Sequence, residues 1–162
     1  LTLGAHMVVA GNKAATLEEA TDKLKEVISN GKALDKLAEF IQAQGGNPEQ
    51  VYHPELLPCA SLCEEIWAEE EGYISSVQCD EIGICSLILG GGRETKESII
   101  DLSVGFILHK KKGDFVSKGE SLATVYANDS DKLIQAKTRF LKAYHISSKQ
   151  PIATPFIKAI IS

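Results

Sequence analysis

The sequence predicts an α+β protein in which a helical segment precedes a domain of mixed strands and helices. Apolar residues recur at helical spacing up to about residue 50, whereas short alternating runs bounded by glycine follow after residue 60. Strands and helices in this second part do not alternate strictly, which argues against a doubly wound parallel sheet. We therefore expect two domains, at residues 1–57 and 58–162.

The composition is that of an ordinary globular chain. Its 162 residues are 44% hydrophobic and carry a formal net charge of −5, which allows one or two domains with a core. The mild acidity argues against a general nucleic-acid binder, which would present a basic surface. No apolar run is long enough to cross a bilayer as a helix, and no secretory signal is visible. We expect a cytoplasmic protein.

The first domain is predicted to be helical. The chain opens at Leu1 within an apolar pattern, which favours the later part of a helix and a fragment of a longer protein. A processed or renumbered N terminus is the alternative. Thr16 and Glu19 form a capping box for the next helix, whose stop signal is Asn30-Gly31. A further helix ends at Gly45-Gly46.

The second domain follows a linker in which Pro54 and Pro58 disfavour a continuous helix. Asp80 is the expected N-cap of an almost wholly apolar helix, which should be buried on most sides. Asp129 is the expected N-cap of the last helix. Residues 99–102 and the proline-containing tail are expected to be extended. Strands are expected at residues 63–68, 73–78, 104–109, 115–116, 122–126 and 144–147.

The candidate functional residues of this chain are Gly90, Gly91, Gly92 and Arg93. Backbone amides freed by glycine, together with an arginine fork, can hold phosphate. Phosphate-binding loops usually precede a helix, however, whereas these glycines follow one, and a Walker-type Gly-Lys-Ser/Thr is missing. The favoured interpretation is a helix C-cap followed by a flexible loop, with Arg93 as a contact to another domain.

The turn between Gly113 and Gly119 indicates an alternative function. Its phrase Gly-Asp-x-Val-x-Lys-Gly-x-x-Leu is typical of small β-sandwiches that carry lipoyl or biotinyl groups. A carrier needs a lysine at an exposed hairpin tip, but the strand at residues 73–78 leads to Gln-Cys-Asp-Glu. The lysines from Lys110 to Lys112 lie in the other turn and are expected to be solvated.

The cysteines and histidines form no recognisable site. The cysteine spacings fit no common zinc pattern, so free thiols are expected. The histidines are not at metal-ligand spacing and are expected to lie at the surface or in packing contacts. No metal or cofactor is expected. The residues concerned are Cys59, Cys63, Cys79, Cys85, His6, His53, His109 and His145.

Four separated phrases carry a family resemblance. They are Leu-Thr-Leu-Gly-Ala-His-Met-Val from Leu1, Phe-Ile-Gln-Ala-Gln-Gly-Gly-Asn-Pro from Phe40, Leu-Gly-Gly-Gly-Arg-Glu-Thr-Lys from Leu89 and Ile-Asp-Leu-Ser-Val-Gly from Ile100. In this order they resemble the C-terminal part of pyrimidine-nucleoside phosphorylases, a likeness that covers essentially the whole chain. Thymidine phosphorylases share much of it. The stretch Leu-His-Lys-Lys-Lys-Gly-Asp from Leu108 favours the bacterial enzyme of broader specificity.

The resemblance implies a phosphorolytic enzyme. Such enzymes cleave uridine, deoxyuridine or thymidine with phosphate as co-substrate, releasing the base and a (deoxy)ribose 1-phosphate. They are homodimers whose helical lobe and larger α/β lobe close over base and phosphate. Residues 1–57 would belong to the helical layer of the larger lobe. Residues 58–162 would form an α/β-hammerhead domain built around a barrel-sandwich hybrid.

The resemblance places no catalytic or substrate-binding residue in this chain. The family's base-binding and phosphate-binding residues lie upstream, and neither His6 nor His109 matches its catalytic histidine. The chain alone is therefore expected to be inactive and structural, with the loop from Gly90 to Arg93 assisting lobe closure. Two alternatives remain open: a non-enzymatic carrier or binding module, and a stand-alone adaptor that docks on a nucleoside enzyme.

Overall fold

Helices and antiparallel sheets occur together in the computed structural model, which describes residues 1–161. This is the mixed α+β class that the sequence predicts. The chain divides into two units, Leu1–Leu57 and Pro58–Ser162. Within the described residues, no helix combines the length and the apolar character needed to cross a membrane.

The first unit is built from helices. The predicted N-cap of the second helix is confirmed, because the Glu19 amide donates to Thr16 Oγ1 at 3.1 Å. The Glu19 carboxylate in turn accepts from the Ala15 amide at 2.9 Å. The helices are α1 (Thr2–Ala10), α2 (Leu17–Ser29), α3 (Lys32–Ala43) and α4 (Glu49–Tyr52), and a 3-10 turn at Pro54–Leu56 follows.

The buried side chains of the first unit are small. Leu3 and Met7 on α1 are 78% and 73% exposed, and Phe40 on α3 is 61% exposed. Helix α1 is mostly apolar, with Thr2 and His6 as its polar residues, and a helix that is apolar around most of its surface is usually surrounded by protein. Among the described residues of this unit, those classed as buried are Ala5, Ala20 and Ala38.

Among the described residues of the second unit, six strands form two antiparallel sheets. They are β1 (Leu62–Trp67), β2 (Gly72–Val77), β3 (Gly105–Leu108), β4 (Phe115–Val116), β5 (Ser121–Ala127) and β6 (Tyr144–Ser147). The first sheet has the order β1-β5-β3, and the second has the order β4-β2-β6. Although β3 and β4 are consecutive along the chain, they lie in different sheets.

Two helices complete the second unit, α5 (Cys79–Leu89) and α6 (Ser130–Ala143). Phe140 of α6 is fully buried and stacks between Phe106 and Tyr144, with ring centroids 5.2 and 4.8 Å apart. Such aromatic pairs add to the stabilisation that burial alone provides. The other large side chains that are fully buried come from both sheets and from α5: Ile66, Ile74, Val116, Leu122, Val125 and Cys85.

The predicted N-cap of α6 is confirmed. Asp129 accepts hydrogen bonds from the amides of Asp131 and Lys132 at 2.9 and 3.0 Å. These bonds hold the pKa of Asp129 below its usual range, with the Lys132 amide as the largest cause. Both amides are among the first-turn donors that an α-helix cannot satisfy internally.

Two predictions for the second unit differ from the structure. Asp80 is not the N-cap of α5, because Gln78 occupies that position without a side-chain bond and the helix starts at Cys79. Helix α5 is also less buried than predicted, since α6 covers one side while Ile84 on another is 36% exposed. Residues 99–102, expected to be extended, lie in the loop between α5 and β3.

Candidate functional site

The glycines that follow α5 end the helix in a Schellman arrangement. The Gly91 amide donates to the Ser86 carbonyl, and the Gly90 amide donates to the Leu87 carbonyl, each at 2.9 Å. Gly90 has a φ of 105°, in the left-handed region that favours glycine. The helix C-cap predicted from the sequence is thus confirmed.

Gly91 and Gly92 pack closely against side chains of α5 and have no positive φ. A Cβ on Gly91 would lie 2.7 Å from Ser86 Oγ, and one on Gly92 would lie 2.9 Å from Leu87 Cδ1. A side chain at either position would therefore require Ser86 or Leu87 to shift. Because these glycines sit at the carbonyl end of a helix, the helix dipole there disfavours an anion. The arrangement therefore does not resemble a phosphate cradle at a helix N terminus.

The loop beyond the glycines presents exposed side chains. Arg93 is exposed, and Ile99 is 93% exposed. A turn inside the loop is held by the Thr95 amide, which donates to Ser98 Oγ at 3.0 Å. An isoleucine held in water on a loop loses the stabilisation that burial would give it. The loop thus exposes both a cationic and an apolar side chain to solvent.

The base of the loop is closed by hydrogen bonds. The Asp101 amide donates to the Gly90 carbonyl at 2.9 Å, which joins the two ends of the loop. Asp101 Oδ1 accepts from the hydroxyl and the amide of Ser103 at 2.6 and 3.0 Å. Asp101 Oδ2 accepts from Asn128 Nδ2 at 2.8 Å. These bonds, with the Ser103 hydroxyl first, hold the pKa of Asp101 below its usual range.

A groove of about 460 Å³ runs beside this loop. Its wall combines the apolar side chains of Leu87 and Ile88 with the charged residues Glu94 and Lys132. The remaining lining residues are Gly90, Gly92, Ser98, Ile99 and Gln135. The loop and α6 thus share one surface.

A second polar cluster, which no motif in the sequence predicts, lies on the first sheet. Thr124 Oγ1 donates to Glu65 Oε1 at 2.7 Å and lies 2.7 Å from His109 Nε2. Ser121 Oγ donates to Glu65 Oε2, and this bond is the largest cause of the lowered pKa of Glu65. Because Thr124 gives its only proton to Glu65, His109 Nε2 must be the donor to Thr124.

This cluster is internally satisfied and not arranged for metal binding. The carboxylate of Glu65 has hydroxyl donors on both oxygens, and the His109 nitrogen that faces it carries a proton. Within residues 1–161, no three His, Cys, Asp or Glu side chains come together as a metal site. The strand register that pairs Glu65 with Thr124 creates the cluster, and register between strands so distant in sequence could not be predicted.

The lysine-containing turn is held in place and is not a hairpin tip. The Lys110 ammonium contacts Glu120 at 2.5 Å and the Phe115 carbonyl at 3.0 Å. The Tyr144 hydroxyl donates to the Lys110 carbonyl at 2.9 Å, and burial raises the pKa of Tyr144 to about 12. The turn joins β3 to β4, which lie in different sheets.

Known proteins resemble this chain over most of its length. Residues 73–147 match the family described as pyrimidine nucleoside phosphorylase C-terminal domain. Proteins named pyrimidine-nucleoside phosphorylase from Bacillus subtilis (strain 168) and Staphylococcus haemolyticus (strain JCSC1435) are each 52% identical over 128 residues, 79% of this chain. A protein of the same name from Staphylococcus aureus (strain USA300) is 50% identical over 131 residues, 81% of this chain. The chain spans about 30% of the length of these relatives.

Proposed function

We propose that this chain, which carries the C-terminal domain of the pyrimidine nucleoside phosphorylase family at residues 73–147, is the C-terminal part of a phosphorolytic enzyme. The observation that carries the proposal is 52% identity over 79% of the chain to proteins named pyrimidine-nucleoside phosphorylase. The complete enzyme would cleave uridine, deoxyuridine and thymidine with phosphate. Its products would be the free base and ribose or deoxyribose 1-phosphate.

The two units would have different places in that enzyme. Residues 1–57 would belong to the helical layer of the large lobe, which is supported by the exposed apolar side chains of Leu3, Met7 and Phe40. Residues 58–162 would be an α/β-hammerhead domain around a barrel-sandwich hybrid, which is supported by two three-stranded antiparallel sheets with two helices. We further propose a cytoplasmic homodimer.

The chain itself would be structural, with one part that assists catalysis. The loop from Gly90 to Arg93 would contact the other lobe when the enzyme closes over base and phosphate. The exposed Arg93 and Ile99 support this role, because a lobe that covered them would gain a charge contact and apolar burial. Closure of that kind excludes water and favours phosphate as the attacking group.

An assay of phosphate-dependent cleavage tests the proposal. The enzyme that contains this chain should release uracil from uridine only when phosphate is present, with ribose 1-phosphate as the second product. The 162-residue chain alone should release none, because the family's substrate-binding residues do not occur in it. Uracil release by the chain alone would contradict the structural role. An intact enzyme that cleaves no pyrimidine nucleoside would contradict the function.

The carrier alternative is not favoured. The strand that would lead to a carrier hairpin, β2, ends at Val77 and passes through Gln78 directly into α5. The ammonium of Lys110 is already engaged by Glu120. A lipoyl or biotinyl adduct on any lysine, found by mass spectrometry of the purified protein, would restore this alternative.

A further inference from the structure

We propose that Asn128 is a positioning residue that fixes the base of the glycine-rich loop and so determines where Arg93 is presented. The proposal rests on the closure role of the loop given above. Asn128 follows β5 directly and precedes Asp129, the N-cap of α6. It therefore occupies a point where the backbone is already fixed on both sides.

The Asn128 amide group makes four hydrogen bonds. Its Oδ1 accepts from the amide and the hydroxyl of Ser61 at 2.7 and 3.0 Å. Its Nδ2 donates to Asp101 Oδ2 at 2.8 Å and to Ser103 Oγ at 2.9 Å. A backbone amide can only donate, so the atom facing Ser61 must be the oxygen, and the nitrogen must face Asp101.

These bonds tie together segments that are far apart in the sequence. Ser61 immediately precedes β1, whereas Asp101 and Ser103 lie where the loop returns to β3. The amide of Asp101 also bonds the Gly90 carbonyl, so a shift of Asp101 would move both ends of the loop. Asn128 thus connects the loop base to the first sheet.

An asparagine is suited to position 128 because one neighbour supplies hydrogen-bond donors and the other supplies an acceptor. Ser61 offers two donors, and Asp101 offers an acceptor that is charged at neutral pH. The lowered pKa of Asp101, due first to the Ser103 hydroxyl, keeps that carboxylate ionised. An aspartate at 128 would still accept from Ser61, but it would set one carboxylate against another.

A charge-swap cycle tests the proposal in the enzyme that contains this chain. Asn128→Asp places two carboxylates opposite each other, and Asp101→Asn places two amide groups opposite each other. The double variant Asp101→Asn with Asn128→Asp restores one donor facing one acceptor. Deuterium exchange of a peptide that spans the loop should be about fivefold faster in each single variant, since one lost contact of this kind changes an equilibrium by about that factor. The double variant should return to within about twofold of the unchanged enzyme.

A matched control separates the loss of the contact between Asn128 and Asp101 from the general effect of replacing an asparagine by an aspartate. Asn47→Asp alters another exposed asparagine whose Oδ1 accepts from the Glu49 amide, and an aspartate keeps that bond. Loop exchange should not change in this variant. The proposal is overturned if Asn128→Asp leaves loop exchange unchanged, or if the double variant exchanges as fast as the single variants.

Kinetic measurements on the same variants separate the two proposals. If the loop acts in closure, Asn128→Asp should lower kcat/KM for phosphorolysis in the same direction as Arg93→Ala, and the double variant should recover it. In one outcome, loop exchange is faster in Asn128→Asp and returns to normal in the double variant, but the kinetic constants are unchanged in both Asn128→Asp and Arg93→Ala. That outcome would support the positioning of the loop base and contradict the closure role.

Discussion

Two glycines, one inside α5 and one at its end, show how differently the same residue type is used. Gly90 has a φ of 105°, and a Cβ there would meet nothing closer than 3.7 Å. Glycine is therefore favoured at position 90 by the backbone conformation and not by close packing. Gly83 lies inside the helix without a positive φ, and a Cβ there would meet nothing within 4 Å. Gly83 therefore destabilises the helix only through the conformational entropy that a glycine loses on folding.

These two positions predict opposite effects of alanine. Gly90→Ala should lower the free energy of unfolding by about 1 kcal/mol, because an alanine is forced into the left-handed region. Gly83→Ala should raise it by roughly 0.5–1 kcal/mol through helix propensity. Urea denaturation followed by circular dichroism measures both. Equal stability of the two variants would show that the C-cap conformation does not stabilise the domain.

The residue-level predictions from sequence succeeded where the signal was local. Thr16 and Asp129 each precede a helix and bond the amides just after them, so sequence spacing alone identified them. The predicted N-cap at Asp80 was wrong, because α5 starts at Cys79 with Gln78 as its N-cap, directly after β2 ends at Val77. The contact of Asn128 with Ser61 joins residues 67 positions apart, and no local pattern indicates it.

At the scale of elements, strand positions were predicted but their pairing was not. All six strands lie within a few residues of their predicted ranges, because alternation and glycine turns mark them locally. The pairing of β1 with β5 and of β2 with β6 depends on how the sheets close on each other. The burial of α5 was overestimated, because an apolar sequence does not reveal which sides a neighbour covers.

Helix α6 gives an element-scale prediction that depends on pH. The pKa of Asp129 is lower in the folded chain than its usual value near 4. Its contribution to stability is thus present above about pH 4 and is lost as the pH falls through the lower folded pKa. Asp129→Ser keeps a capping oxygen that does not titrate. The stability difference between the unchanged chain and this variant should favour the unchanged chain more at pH 7 than at pH 3.

Urea midpoints at pH 7 and pH 3 measure that difference. Asp131→Ser is the matched control, because it removes a charge from the first turn of α6 but leaves the capping side chain in place. If both variants lose the same amount of acid-dependent stability, the effect comes from charge near the helix end and not from the cap.

At the scale of the whole molecule, the two units differ in how much they bury. The second unit encloses large side chains such as Phe140 and Ile74, whereas the buried residues described in the first unit are alanines. Apolar side chains left in water forgo about 25 cal/mol per Å² of stabilisation. This contrast favours a first unit that is completed by protein outside the chain, as the proposed large lobe would provide.

A resemblance to known enzymes could be predicted from the sequence, but the residues that carry out the chemistry could not. Four phrases spread over the chain indicated a resemblance to pyrimidine-nucleoside phosphorylases, and the comparisons confirmed that resemblance. The catalytic groups could not be named, because the resemblance implies that the substrate-binding residues lie upstream of this chain. The loop after α5 remains the part of the chain proposed to act in catalysis.

A hybrid enzyme tests the central claim most directly. The segment of the Bacillus subtilis relative that aligns with this chain, 128 residues at 52% identity, would be replaced by the corresponding residues of this chain. The same relative truncated before that segment is the control. Phosphate-dependent release of uracil from uridine is the measurement. We predict that the hybrid retains activity and that the truncated enzyme has none. A hybrid that folds, as judged by circular dichroism, but releases no uracil would contradict the claim that this chain is the C-terminal part of such an enzyme.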